Sequence, residues 1–594
     1  MASLSSKRVY RTVALGAITA LAVIAIAPFF MDIYTTNILI RAFYLAALVM
    51  TVDILWGYTG ILTFGQSAFF GIGAYACALV FTHYGFGPLW AIGALAIGIL
   101  AALAVAAIVG WLAFYHGASP LYASIITLAL PIVLVQLIFA GGRWTGSSSG
   151  LSAFPTYYWS TETWFWIAGA YLVLVTSLGF LLVRSDFGRI LVAIRENEER
   201  AAYLGIPISR IKTGLMMASG AVGAAAGFGY AAFTNVVAPE LGDFLLGTEL
   251  LIWTALGGRG TLIGPVLGAI GIDVTASYLS GTLPFLWKLL TGIAFVVVIV
   301  LLPRGLAPIL GQAIGFVIPP LRRKPPQSAE LVPADWRPIA ASFDAPPLKI
   351  DELICQYGSL RVLTGVNATV KGGELLSIVG PNGAGKTTLM RCVSDGSERT
   401  AGRVYVQGVE IGRGAPQSIV ALGVGRSFQN TNLFDTLTVA ECLMLARYGV
   451  DGAPMFARRA EIRMPEPALD IMRATGLDKV LATETGSLSH GMKRGLELAM
   501  VLATEPSVLL LDEPTAGLTK AERTAIGHTL KRLTDEYGLA VVLIEHDLDF
   551  VREISSRIVV LHQGSVLMEG TVEEVVNSEL VRAVYSGEQV EAVA

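Results

Sequence analysis

Apolar positions fall in long unbroken runs up to about Leu302, whereas beyond Pro346 apolar and charged residues alternate over the short intervals of a soluble α/β domain. A membrane helix takes about 20 apolar residues. Runs near that length occupy 12–30, 36–56, 65–83, 88–114, 120–140, 163–184, 213–234, 261–280 and 285–302. The first follows Lys7, Arg8 and Arg11 as a signal peptide would, but without a small-residue cleavage site, so it is read as a retained helix. Two further basic regions, Arg184 to Lys212 and Arg304 to Lys324, must share the cytoplasmic side with the N-terminus. Six runs separate the first basic region from the second, but only three separate the second from the third. Parity demands one more span, and "DFLLGTELLIWTAL" at 243–256, followed by the turn "GGRGTLIGP", supplies it. The pattern predicts about ten spans with both termini cytoplasmic.

The two parts are joined by "IPPLRRKPPQSAELVPADWRPIAASFDAPP", whose prolines favour extended backbone over a packed core. The expected organisation is a membrane domain over 1–315, a proline-rich linker over 316–347 and a soluble domain over 348–594. With 54% hydrophobic and 15% charged residues, the composition lies outside the ordinary soluble range. A net charge of -3 without a basic domain or stripe sets nucleic acid aside as a partner. Cys77, Cys355, Cys392 and Cys442 lack the spacing of a disulfide framework or a zinc site and read as reduced core residues.

Chemistry enters with "LLSIVGPNGAGKTTLM", a buried-strand pattern, a glycine-rich loop and a helix start, in the G-x-x-x-x-G-K-[ST] order of a phosphate loop. Gly380, Asn382, Gly383, Ala384 and Gly385 form the backbone cradle for phosphate, with Lys386 reaching the β- and γ-oxygens. Thr387 can hold Mg²⁺, and Thr388 is a further candidate nucleotide contact. "VLLLDEPTAGL" ends an apolar strand in Asp512 and Glu513, an acid pair suited to holding a magnesium-bound water and polarising the attacking one. "RSFQN", "LSHGMKR" and "VVLIEHD" contribute Gln429, Ser489 with Gly491, and His546.

In order and spacing these pieces resemble the ATP-binding subunit of ABC transporters over essentially all of 348–590. The resemblance implies that Tyr357 stacks on adenine, that Glu513 is the general base, and that His546 anchors the γ-phosphate. It also implies that Gln429 senses that phosphate beside the metal, and that Ser489 and Gly491 cap the nucleotide of the opposing ATPase. His490 and Met492 depart from the common L-S-G-G-Q signature.

The membrane part, over about 36–306, resembles the permease subunits of branched-chain (hydrophobic) amino acid uptake transporters. The likeness is carried by "LWGYTGILTFGQSAFFGIGAYACAL", "SDFGRILVAIRENEERAAYLGIPISRIK" and "LGGRGTLIGPVLGA". The implied fold is a polytopic α-helical permease of the ABC importer type fused to an α/β P-loop ATPase. The implied function is ATP-driven import of branched-chain or related amino acids across the bacterial inner membrane, with ATP and Mg²⁺ as cofactors and the ATPase domain in the cytoplasm. Urea, short amides or another small organic solute are the alternative cargo, and export is a more distant one. Partners are a second permease and a second ATPase subunit, or a second copy of this chain, together with a periplasmic solute-binding protein. "RENEERAAYLGI", Arg195 to Ile206, is then the cytoplasmic segment that docks on the ATPase near Gln429. Asp53, Gln66, Glu249 and Asp273, costly in spans, are candidates either to line a path or to sit at interfaces and pair between helices.

Overall fold

The computed structural model describes residues 4–115, 119–282, 330–336 and 345–586, with scattered positions between 286 and 301. Most of the expected linker and of the expected span 285–302 therefore lies outside the described residues. Contacts divide the chain into two units. One holds 1–195, 208–324 and 454–458; the other holds 196–207, 325–453 and 459–594.

The first unit is helical. Among the described residues seven helices are long and apolar enough to cross a membrane: Val9–Phe30, Ile33–Tyr58, Pro88–Phe114, Pro120–Ala140, Thr161–Val183, Ile208–Thr234 and Ile263–Gly281. Phe244–Gly257 is a shorter apolar helix, as its run implied. Gln66–His83 is an 18-residue helix outside that set, its polar ends diluting an apolar middle. Helix starts follow local chemistry. Asp32 accepts from the Thr35 N–H at 3.0 Å, Ser119 caps the helix that Pro120 opens, and Ser160 caps Thr161–Val183.

Packing in this unit is inverted relative to a soluble protein. Along Pro88–Phe114 the buried positions are Ala94, Gly98, Ala102, Ala106, Val109, Gly110 and Ala113, while Leu89, Ile92, Leu100 and Ile108 are exposed. Lipid gains nothing from hiding leucine, so helices associate where small residues let backbones approach. Gln66–His83 and Ile208–Thr234 take this furthest: a Cβ added at Gly73 would lie 1.9 Å from the Ala224 carbonyl oxygen, and one at Gly227 1.9 Å from that of Phe70.

The three stretches behind the permease resemblance converge at Asp53. Its carboxylate accepts the N–H groups of Gly260 at 2.6 Å and Leu262 at 2.9 Å, in the "GGRGTLIGP" turn where both residues have positive φ. The Tyr58 hydroxyl donates to the Gly260 carbonyl at 2.8 Å, and Arg195 donates to that of Gly57 at 2.6 Å. A short π-helical turn, Ile54–Tyr58, brings this backbone into place. Of the two roles open to Asp53 from sequence, its contacts are those of a clamp between helices. Gln66 accepts from Thr51 at 3.2 Å, and Asp273 lies 3.5 Å from Arg41.

The second unit is built on a six-stranded sheet in the order Ser565–Gly570, Arg557–His562, Leu375–Val379, Ala540–Ile544, Val508–Asp512, Val424–Arg426. All its pairings are parallel except that of the first two strands. The three central strands are buried at every residue, which is why they read as unbroken apolar runs. An antiparallel four-stranded sheet carries Leu348–Tyr357 and Leu360–Val370. Helices Val439–Asp451, Glu466–Thr475 and His490–Ala503 form a further layer, beside which Glu330–Ala334 pairs in parallel with Glu461–Pro465. All four cysteines are buried and free.

Candidate nucleotide site

The phosphate loop leaves the Leu375–Val379 strand and enters the helix Lys386–Ser394. Gly380, Gly383 and Gly385 have φ of 152°, 81° and 98°, a region that favours glycine. At Gly380 there is also no space, since a Cβ would come 2.1 Å from the Leu561 carbonyl oxygen. Asn382 and Gly383 are exposed at the loop tip, Ala384 is buried, and Thr387 and Thr388 are half-buried in the first helical turn. The Lys386 amine donates back to the Gly380 carbonyl at 2.7 Å and the Pro381 carbonyl at 3.0 Å. Burial lowers its pKa, against the opposing pull of Glu513 and Asp512.

Asp512 and Glu513 end the adjacent strand with opposite fates. Asp512 is 1% exposed. Neither carboxylate oxygen has a partner at full hydrogen-bond geometry, and the nearby Thr387 hydroxyl favours the charged form. Burial raises the Asp512 pKa and Glu513 adds to the rise, while Arg426, Thr387 and Arg494 oppose it. Glu513 sits at φ 49°, a left-handed conformation costly for a residue with a Cβ and typical of functional positions. This turn aims its Oε1 at two groups: Gln429 Nε2 donates to it at 3.1 Å, and His546 Nε2 lies 3.0 Å away. Glu545 fixes the strand end behind, accepting from the Thr515 N–H at 3.0 Å and the His546 N–H at 3.1 Å.

Gln429, Glu513 and His546, separate in the sequence, therefore form one cluster. Tyr357 is half-exposed, its hydroxyl bonded to Glu398 and its ring open to solvent. Ser489 caps the signature helix by accepting from the Met492 N–H at 3.3 Å. At Gly491 a Cβ would lie 2.5 Å from a Glu522 oxygen, and the His490 ring rests against Gly517.

Sequence reasoning passed over Arg494 and Glu497. Both are buried on the signature helix. Arg494 donates to the carbonyls of Phe428, Asp512 (3.0 Å) and Glu513 (2.6 Å), and Glu497 accepts the Phe428 N–H at 2.8 Å. The available signal was Glu497 itself, an acid inside the apolar run "LELAM".

A phosphate loop, a strand-borne acid pair and a serine-capped signature helix on this sheet define an ATP-binding cassette, the hydrolytic part of a transporter. The comparisons give the particular family. Residues 34–299 match the permease component of branched-chain amino acid transport systems, and 363–516 match the ABC transporter family. The ATP-binding protein BraF of high-affinity branched-chain amino acid transport in Pseudomonas aeruginosa is 36% identical over 253 residues, covering 41% of this chain and 98% of BraF. Its counterpart LivG of Escherichia coli K12 is 34% identical over the same shares. A nucleotide-free ATP-binding cassette from an ABC transporter aligns at 24% identity over 41% of this chain and 99% of its own, with a TM-score of 0.35. The chain belongs to the branched-chain amino acid family of ABC transporters, with permease and ATP-binding components fused in one polypeptide, and its ATPase part hydrolyses ATP in support of transport.

Proposed function

We propose that this protein drives import of branched-chain or related hydrophobic amino acids across the bacterial inner membrane. One chain supplies one permease and one ATPase half, with the ATPase domain in the cytoplasm. A second permease and ATPase subunit complete the transporter, and a periplasmic solute-binding protein delivers cargo. The observation that carries the reading is the joining of a branched-chain-type permease to a cassette whose Gln429, Glu513 and His546 are already gathered. ATP fits the site by the same token. The loop glycines leave backbone room for phosphate, Lys386 rests on carbonyls it would exchange for phosphate oxygens, and Asp512 is a buried carboxylate without a partner.

In this reading Tyr357 stacks on adenine. Gly380, Asn382, Gly383, Ala384, Gly385 and Thr388 cradle the phosphates with Lys386. Thr387, Asp512 and Gln429 would hold Mg²⁺, which would neutralise charge on the phosphates. Glu513 accepts a proton from the attacking water, and His546 holds the γ-phosphate end. Ser489 and Gly491 close over the nucleotide of the opposing ATPase.

Proteoliposomes holding the complete complex, charged with ATP inside and given solute-binding protein outside, test the reading by uptake of labelled leucine, valine and urea. ATP-dependent leucine or valine accumulation is expected. Accumulation of urea alone would replace the cargo, and efflux would reverse the direction. Glu513→Gln removes the base while keeping its shape, so ATP binding is expected to persist while hydrolysis falls by roughly 10²–10⁴-fold. Wild-type turnover in that variant would overturn the assignment of the base.

A further inference from the structure

Segment Glu196–Pro207 belongs to the contact unit of the ATPase, although Arg195 before it and Ile208 after it belong to the helical unit. Asn197 caps its short helix by accepting the Arg200 N–H at 2.9 Å. This sets Glu198 and Glu199 outward and turns Arg200, Tyr203, Leu204 and Ile206 inward. Arg200 is 0% exposed, as is Glu497 on the signature helix. Arg200 lies 3.5 Å from the Glu497 carboxylate and donates to the backbone carbonyls of Glu497 at 3.2 Å and Arg426 at 3.4 Å.

From Glu497 the contacts lead to the reacting groups. Its Oε1 accepts the Phe428 N–H, and its Oε2 lies 3.1 Å from Arg494, which holds the carbonyls of Phe428, Asp512 and Glu513. Phe428 immediately precedes Gln429. Its ring carries the guanidinium of Arg200 at 5.7 Å and that of Arg426 at 5.2 Å, with Tyr203 edge-on at 5.0 Å. Gripped on its N–H, its carbonyl and its ring, Phe428 moves only with its holders. The grip is also under-satisfied: Arg200 Nε, Arg426 Nε and Ser427 Oγ are buried without hydrogen-bond partners. A second arrangement therefore need not break a fully bonded network.

We propose that Arg200 is a positioning residue for ATP hydrolysis. It acts through Glu497 and Arg494 on the backbone of Phe428, Asp512 and Glu513, and so sets the approach of Gln429 and Glu513 to the nucleotide. A buried pair adds little net stability compared with apolar residues of the same shape, so its value here is geometric. Removing Arg200 leaves Glu497 still paired with Arg494, so the fold tolerates the loss, while Glu497 loses its second guanidinium and the Phe428 ring one of its two cations, which loosens the placement of Phe428.

The inference rests on Glu513 being the base, and the experiment separates the two. The full complex is purified with its partner subunits as wild type, Arg200→Met, Arg200→Lys and Glu513→Gln. ATP hydrolysis is measured over a range of ATP concentrations, alongside binding of a fluorescent ATP analogue. Arg200→Met is expected to lower kcat at least about tenfold, with KM and analogue affinity changed less than about twofold, the signature of a group that acts on the reaction and not on binding. Arg200→Lys keeps the charge but loses the planar fork, and kcat is expected to fall about threefold. An assembled Arg200→Met complex with wild-type kcat overturns the proposal. So does a parallel loss of nucleotide affinity, which marks a general disturbance of the fold. If Arg200→Met does not assemble, Arg200→Lys decides: reduced kcat at unchanged KM supports the proposal and wild-type kcat ends it. Turnover retained in Glu513→Gln removes the base assignment instead, whatever the Arg200 variants do.

Discussion

Asp53 in the helical unit and Asp512 in the ATPase unit are both buried, at 0% and 1% exposure, and their surroundings are opposites. Asp53 has a backbone N–H on each carboxylate oxygen, from Gly260 and Leu262. Asp512 has no partner on either. A buried acid whose hydrogen bonds are complete is part of the framework. One left incomplete inside a strand-to-loop turn, beside a phosphate loop, is held for something that arrives later.

Asp53→Ala tests the satisfied side and carries the larger expected effect. It strands the buried Leu262 N–H and the half-buried Gly260 N–H in a turn where both residues already have positive φ. At about 1–3 kcal/mol for each stranded group, the loss is roughly 2–6 kcal/mol. Membrane levels and the melting temperature of the purified complex should both fall, with Asp53→Asn between Ala and wild type because it keeps one acceptor. An Ala variant as stable as wild type would mean that the clamp does not hold the turn.

Lys386→Ala comes next and probes the unsatisfied side. The amine loses only two backbone carbonyls of its own loop, so stability should change little. Nucleotide affinity should fall about 10–100-fold, the worth of a charge-assisted hydrogen bond of about 1.5–3 kcal/mol. Equilibrium binding of labelled ATP measures it, and unchanged affinity would count against the phosphate loop.

Legibility in the sequence follows distance along the chain. The phosphate loop and the acid pair are contiguous, and each strand feeding them is apolar throughout, so composition and order revealed them directly. The apolar helices were readable for the same reason. Docking of Arg195 to Ile206 near Gln429 was implied by the family resemblance, but the individual side-chain contacts between distant segments were not readable. Asp53 meets a turn some two hundred residues later, and Arg200 meets Glu497 almost three hundred later. Nothing local to Asp53 distinguishes a clamp from a path residue. In "RENEER" the exposed Glu198 and Glu199 look no different from the buried Arg200 until the Asn197 cap fixes which way the helix turns.

The smallest expected effect concerns pH and tests whether Asp512 is kept incomplete at a cost. Its folded pKa is raised above the ordinary 3.8, chiefly by burial, so within that interval the folded chain binds more protons than the unfolded one. Stability from this group is then fully present below the ordinary value and is lost as pH rises through the folded one. Arg426 and Arg494 moderate the loss, and Glu513 adds to it. Asp512→Asn stays neutral at every pH. Without nucleotide it should melt with wild type in mild acid and above wild type by a few degrees at pH ~8, the scale of about 1 kcal/mol in a domain of this size. Mg²⁺ and ATP should close that gap by stabilising wild type more, since only a carboxylate gains from the cation. The measurement is a pair of melting scans at the two pH values, with and without nucleotide. A wild type that equals or exceeds the variant at the higher pH without nucleotide would show that Asp512 is already satisfied, and that the contrast with Asp53 is one of position alone.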